Sequence, residues 1–179
     1  MLQLFTTQLI NKLNQIQNEE ELAFEEAARS LANAVIGDGH IYWYATGEMQ
    51  ALLAEIEHGA EPFPSSKLYD GQVDLSSTDR VVVAARFADD QQAVEFIEKV
   101  QHQGVEVIAL SAVKSEQNPL PQFANYHIDT KLVEALVPLD EEKIAFPAVM
   151  TMLYTYYGLY VTTKEMIADF EGELPGGMM

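Results

Sequence analysis

Cysteine is absent from this chain of 179 residues, and basic residues are scarce. Without a thiol, the chain has no disulfide, no thiolate metal ligand and no cysteine nucleophile. Ten lysines and arginines stand against 28 aspartates and glutamates, which gives a formal net charge of −18 at pH 7. We expect no nucleic-acid partner, because such binding depends on Lys and Arg neutralising phosphates. The same negative field opposes contact with an acidic membrane surface.

Long hydrophobic runs are also lacking. None approaches the ~20 apolar residues of a membrane span, and no basic flank precedes an apolar core near residue 1, so we expect a cytoplasmic chain without a membrane partner. Hydrophobic residues nevertheless make up 48% of the chain, which at this length supports one well-packed domain. We expect residues 1–170 to form this domain and residues 171–179, rich in Gly and Glu, to form a flexible tail.

Three apolar runs rich in β-branched or aromatic residues predict strands that alternate with helices. The first, at residues 41–45, turns through Gly47 into a helical stretch. The second, at 80–85, is followed by a polar turn and by helical spacing over 91–103, and the third lies at 105–110. This alternation predicts right-handed βαβ units and a mainly parallel, doubly wound sheet.

The flanking segments predict further helices and two short strands. An apolar stripe over residues 2–16 indicates a first helix, and Asn18 followed by three glutamates indicates the N-cap of a second. Two helices would then precede the first strand. Further predictions are short strands at 67–69 and 126–129, a helix at 141–145 capped by Asp140, an apolar helix from Pro147 to about Gly158, and a short helix at 162–170.

Ligands of parallel sheets bind at the carboxyl ends of the strands, where helix N-termini offer free N–H groups. Three loops therefore come into consideration, at residues 45–48, 86–90 and 111–114. The candidate ligand-binding residues in them are Thr46, Gly47, Glu48, Arg86 and Ser111.

The second of these loops also contains two aspartates. Asp89 and Asp90 precede the predicted helix, where a carboxylate binds the same N–H groups that a phosphate would use. We expect them to cap the helix as an internal substitute for an anion. Arg86 could bind a phosphate or pair with these aspartates.

This order of elements resembles the sugar isomerase (SIS) domain, especially its phosphoheptose-isomerase branch. The resemblance covers residues 23–158 and rests on paired N-terminal helices, an Ile- and Tyr-rich first strand, and the strand–turn–helix–Gly–strand of residues 81–110. It implies a three-layer α/β/α sandwich and a homodimer or tetramer. It also implies that a phosphosugar is bound by hydroxyl-bearing residues in the strand-end loops. Active members of the family interconvert aldoses and ketoses.

The binding loops and the acid–base residues of that family are only partly matched. Thr46 keeps one hydroxyl in the first loop, but Met49 stands where the family has Ser, and the second loop has no hydroxyl at residues 85–90. Ser111 matches a family Ser or Thr. The family's catalytic Glu on the helix after the first loop falls on Glu55 or Glu57. The chain offers Tyr154 where the family has a late histidine.

We therefore expect a SIS-like protein that binds a phosphosugar or related carbohydrate derivative and whose catalysis is lost or strongly diverged. The alternatives are an active phosphoheptose-isomerase-type enzyme, whose base is Glu55 or Glu57, and a dimeric scaffold without a small ligand. We expect no cofactor. We also expect no metal, since the four histidines show no i, i+4 pairing.

Overall fold

A five-stranded parallel sheet forms the centre of the computed structural model, which describes residues 1–173. The strands lie in the order β2-β1-β3-β4-β5, and every neighbouring pair is parallel. Their bounds are β1 Ile41–Ala45, β2 Ser66–Leu68, β3 Arg80–Phe87, β4 Glu106–Ala112 and β5 Tyr126–Asp129. The predicted parallel, doubly wound sheet is therefore confirmed.

Helices cover both faces of this sheet, which makes the predicted three-layer α/β/α sandwich. Their bounds are α1 Leu2–Ile36, α2 Ala51–His58, α3 Gln91–Gln101, α4 Leu120–Phe123 and α5 Ala148–Glu173. One core joins α1, α2 and α5 to Trp43, Val82 and Ile108, and the other joins α3 to Val81 and Val83. Because both faces of the central strands are buried, these strands appear in the sequence as nearly continuous apolar runs.

The N-terminal segment is one helix of 35 residues, and the prediction of two helices is wrong. Asn18, the predicted N-cap, lies inside α1. Neither Gly nor Pro interrupts residues 2–36, and an internal Asn costs a helix only up to about 0.7 kcal/mol relative to Ala. Packing against α5 and β5 stabilises the uninterrupted helix.

The C-terminal part also differs from the prediction. Residues 137–144 form an antiparallel hairpin of β6 Val137–Leu139 and β7 Glu142–Ile144, so the helix predicted at 141–145 is wrong. Asp140 has a left-handed φ of 52° and reverses the chain instead of capping a helix.

The helix predicted to end at Gly158 and the short helix predicted after it are one helix, α5, with Gly158 packed against Phe24 of α1. α5 extends to Glu173, so residues 171–173 of the predicted tail are helical; residues 174–179 lie outside the described residues. Among the helices of residues 1–173, none has the length and apolar character needed to cross a bilayer.

Candidate functional site

A cleft of about 190 Å³ lies between the carboxyl ends of β1 and β3. These strands are neighbours, but the helices that follow them pack on opposite faces, α2 in one core and α3 in the other. Such a change of direction opens a crevice in which doubly wound sheets bind their ligands. The residues that line this strand-end cleft are Thr46, Gly47, Glu48, Arg86, Phe87, Asp89 and Asp90.

The first wall of the cleft is the turn after β1. Gly47 has a φ of 52°, a conformation that glycine adopts without steric cost, and it begins a short 3-10 helix, Gly47–Gln50. This turn directs Met49 into the core, where the side chain is only 1% exposed. The position at which the resemblance implies a phosphate-binding Ser is therefore part of the packing beneath the cleft.

Asp90 is the N-cap of α3, which confirms the prediction that its carboxylate caps this helix. Its Oδ1 accepts a hydrogen bond of 2.9 Å from the backbone N–H of Ala93, and its Oδ2 accepts one of 2.9 Å from the Thr46 hydroxyl. The backbone N–H of Ala93 in the first turn of α3 and the hydroxyl of the β1 turn are thus satisfied by the same side chain.

Arg86 pairs across the cleft with Glu48, and neither aspartate of its own loop is its partner. The hydrogen bond from Arg86 lowers the pKa of Glu48 and, reciprocally, raises the pKa of Arg86. Both side chains remain accessible, with exposed fractions of 48% for Arg86 and 36% for Glu48. The guanidinium carbon also lies 5.8 Å from the ring centre of Phe87 and 5.9 Å from that of Phe146, within cation–π range.

Asp89 takes a different partner, Lys114 in the loop after β4. Its Oδ2 lies 2.5 Å from the Lys114 ammonium, which also sits 4.4 Å from the ring centre of Phe87. The cleft lining itself therefore has three carboxylates and one guanidinium, with a second cation at its edge.

Ser111 lies within β4, not in a loop, and is fully buried. Its hydroxyl is 2.8 Å from Nε2 of His127 on β5. Burial lowers the pKa of His127 to about 4, so the ring is neutral at pH 7. Ser111 is not among the residues that line the strand-end cleft.

Glu55 and Glu57, the candidate bases, also lie outside this lining. The Tyr157 hydroxyl of α5 donates a hydrogen bond of 2.5 Å to Glu55 Oε1, which raises the pKa of Tyr157. Glu57 is exposed and lies 3.2 Å from His58. Tyr154 lines a separate groove between α1 and α5.

Tyr157 carries no local sequence signal that marks it as the partner of Glu55, because this contact joins distant parts of the chain. Phe87 and Lys114 lie in the predicted loops, but their contact with each other joins two separate loops. Within residues 1–173, no three His, Asp or Glu side chains are grouped so that they could hold a metal ion.

Comparison with known sequences identifies relatives over almost the whole chain. The profile of a family described as a domain of unknown function, DUF2529, matches residues 1–167. The uncharacterized protein YwjG of Bacillus subtilis (strain 168) is 35% identical over 173 residues, which cover 95% of this chain and 99% of that protein.

Solved structures with a similar fold contain sugar isomerase domains. The sugar isomerase domain of an RpiR transcription factor from Sphaerobacter thermophilus has a TM-score of 0.59 at 16% identity, covering 97% of this chain and 96% of that one. A Methanococcus jannaschii protein, described with an inferred function of 3-hexulose-6-phosphate isomerase, has a TM-score of 0.60 at 11% identity and coverages of 92% and 90%. The protein c3406 of E. coli CFT073, solved in complex with a phosphosugar, has a TM-score of 0.56 at 12% identity and coverages of 97% and 95%. These likenesses confirm the SIS fold.

Proposed function

The chain belongs to the DUF2529 family and has the SIS fold, and from this premise we propose that it binds a phosphosugar or related carbohydrate derivative in the strand-end cleft without isomerising it. Two proteins of the same fold support this ligand class: one was solved with a phosphosugar and another is described as a hexulose-phosphate isomerase. The cleft also lies where ligands enter doubly wound sheets.

The position of Arg86 carries the proposal. Its guanidinium faces the cleft and is paired with the accessible carboxylate of Glu48. A phosphate offers two oxygens to a guanidinium in the same planar geometry as a carboxylate, so it can displace Glu48. The remaining carboxylates of the lining can accept hydrogen bonds from sugar hydroxyls, and Phe87 offers an apolar wall.

Two observations support loss of isomerisation. Aldose–ketose isomerisation needs a base that reaches the proton on the sugar C2. Glu55 is held by Tyr157 outside the cleft lining, and Asp90 is engaged by Ala93 and Thr46. None of the described residues that line the cleft is a histidine.

Calorimetry tests the binding proposal directly. Wild type is titrated at low salt with glucose 6-phosphate, ribose 5-phosphate, arabinose 5-phosphate and sedoheptulose 7-phosphate, and with the parent neutral sugars. We expect at least one phosphate to bind and its affinity to fall about tenfold in Arg86→Gln, which is the loss of one charge-assisted hydrogen-bond pair. Arg29→Gln, which makes the same change on exposed α1 surface, is the matched control and should bind as wild type does.

Proton exchange separates the binding protein from the isomerase. Each sugar phosphate that binds is incubated with the protein in D2O, and the NMR signal of its C2 proton is followed. We expect no loss of this signal and no aldose–ketose conversion. Exchange that disappears in Glu55→Gln or Glu57→Gln would instead favour an active phosphoheptose-isomerase-type enzyme. Absence of binding by every sugar phosphate would favour the scaffold.

We further propose that residues 1–170 form one SIS-like domain that assembles as a homodimer or tetramer through α1 and α5. Both helices carry large apolar side chains on their exposed surfaces, among them Ile10, Leu22 and Val161. Burial of such side chains in a symmetric interface is favourable, whereas a monomer leaves them in water.

A further inference from the structure

A second cleft, of about 330 Å³, lies between α1 and the segment that leads into the β6–β7 hairpin. Its polar lining consists of Gln8, Asn11, Lys12, Gln15, Glu134 and Lys143, and apolar residues of the segment 133–138 complete it. We call it the α1–hairpin cleft. It shares no lining residue with the strand-end cleft.

Four of these polar residues share one face of α1, because they are spaced at i, i+3, i+4 and i+7. They lie beside the apolar stripe with which α1 packs on the body of the protein. The side-chain amides of Gln8 and Asn11 belong to the lining of this cleft. Each amide can both donate and accept, so the wall is suited to a ligand with hydroxyl groups.

The charge of this cleft is opposite to that of the strand-end cleft. Lys12 and Lys143 contribute two ammonium groups and Glu134 one carboxylate, whereas the strand-end lining has three carboxylates and one guanidinium. Lys143 lies 2.6 Å from Glu134, and Lys12 donates a 2.9 Å hydrogen bond to Gln15. An ammonium group has three donors, so both lysines keep donors for a further acceptor.

Both lysines act on the same carboxylate. The hydrogen bond and charge of Lys143 lower the pKa of Glu134, and the charge of Lys12 adds to this effect. Both ammonium groups belong to the lining of the same cleft, which is the geometric basis for their acting on one bound anion. The cleft lining thus carries one more positive than negative charge, in a chain whose formal net charge is −18.

We propose that the α1–hairpin cleft binds a small phosphorylated compound. The ammonium groups of Lys12 and Lys143 hold its phosphate, and the amides of Gln8 and Asn11 bind hydroxyl groups of its remainder. Glu134 pairs with Lys143 in the absence of this ligand and competes with the phosphate. The proposal is independent of the strand-end cleft and adds a second site to the protein.

Inorganic phosphate is the probe that tests this site. Every variant carries Arg86→Gln, which removes the guanidinium of the strand-end cleft, and phosphate is titrated by calorimetry at low ionic strength because salt screens the interaction. We expect Lys12→Gln with Lys143→Gln to lose about 100-fold in affinity, about tenfold for each charge-assisted contact. Glu134→Gln should bind phosphate more tightly, since it removes the competing carboxylate.

The control is the pair Lys99→Gln and Lys164→Gln, which makes the same change of net charge on exposed surfaces of α3 and α5. It should keep the affinity of the Arg86→Gln parent, and Lys12→Arg with Lys143→Arg should retain binding. Backbone amide NMR should place the phosphate-dependent shifts at residues 8–15 and 133–143. Equal losses in the test and control pairs, or no phosphate binding by the parent at millimolar concentration, would overturn the proposal. Failure here leaves the proposal for Arg86 standing, since that proposal is tested by the effect of Arg86→Gln on sugar-phosphate binding.

Discussion

The hydroxyl of Thr46 donates a hydrogen bond of 2.9 Å to the carboxylate of Asp90, and this contact joins the β1 turn to the N-terminus of α3. Thr46 is only 2% exposed. The hydroxyl that a phosphate would meet in the β1 turn is thus already used within the protein. Asp90 brings a negative charge to the place where the dipole of α3 would favour an anion.

The first prediction concerns the role of the Asp89 and Asp90 carboxylates in the place that a bound anion would occupy. In Asp89→Asn with Asp90→Thr, both new side chains can accept hydrogen bonds, so the loss of stability should stay within about 1 kcal/mol. Two negative charges leave the cleft, and Lys114 loses its partner. We expect phosphate affinity at Arg86 to rise about tenfold, which corresponds to about 1.4 kcal/mol of relieved repulsion.

Calorimetry with phosphate, in a background of Lys12→Gln and Lys143→Gln, measures this rise at the strand-end cleft alone. Asp74→Asn with Asp169→Asn makes the same change of charge outside the cleft and is the control. Equal affinities in the test variant and its parent would show that the two aspartates do not keep anions out.

Much of the sheet could be predicted because its strands have both faces buried. Val81, Val82 and Val83 are all fully buried, and this produces the continuous apolar run that marks β3 in the sequence. The ends of helices are harder to predict from the sequence. An Asn such as Asn18 can be an N-cap or lie inside a helix, and here the packing of α1 against α5 stabilises a helix that continues through it.

The sequence predicts which loops form the site, but it does not predict which side chains pair within it. The residues of the β1 and β3 loops do meet in one cleft, as the topology requires. Arg86 pairs with Glu48 because the loops after β1 and β3 lie side by side in the fold, and a local sequence pattern cannot predict such a pair. Ser111 follows the predicted end of the third strand, where its hydroxyl would be accessible. In the structure β4 continues to Ala112, and Ser111 is buried within the strand.

A second prediction concerns the crossing of α1 and α5. A Cβ added at Gly158 would lie 2.6 Å from Cε1 of Phe24, a distance that real Cβ contacts do not show. Gly158→Ala gains up to about 1 kcal/mol in helix propensity but should lose about 1–3 kcal/mol by overpacking. We expect a net loss of about 1 kcal/mol in urea unfolding. Gly172→Ala, in open space on the same helix, should not be destabilised.

The same pair of residues provides a test of the cause. Phe24→Leu removes the ring that the new methyl group meets, so Gly158→Ala should cost less in that background than in wild type. An equal cost in both backgrounds would mean that contact with Phe24 is not the reason for the glycine.

A third prediction concerns assembly. Leu22 on α1 is 67% exposed and Val161 on α5 is 59% exposed. If these helices form the interface, sedimentation at micromolar concentration should give at least a dimer, and Leu22→Glu with Val161→Glu should give a monomer. Leu139→Glu, on the exposed hairpin, should leave the assembly intact. A wild-type monomer would contradict the proposed interface.

The last prediction concerns acid stability and His127. Burial lowers the pKa of His127 from its ordinary 6.5 to about 4, while in the unfolded chain the ring titrates normally. Well above pH 6.5 the ring is neutral in both states. As the pH falls through 6.5, only the unfolded state gains the proton, so the free energy of unfolding decreases until the native ring also titrates near pH 4. By pH 5 this decrease amounts to about 2 kcal/mol.

Urea unfolding at several pH values between 7 and 5 measures this slope. His127→Gln removes the titrating ring and keeps a side chain that can hydrogen-bond the buried Ser111 hydroxyl, so the variant should show a much flatter dependence in this range. His102→Gln, on the exposed surface after α3, is the matched control and should keep the wild-type slope. Both variants make the same substitution, which assigns the difference between them to the ring of His127. A slope that survives in His127→Gln would mean that the ring is protonated equally in both states, and that its contact with Ser111 does not depend on a neutral imidazole.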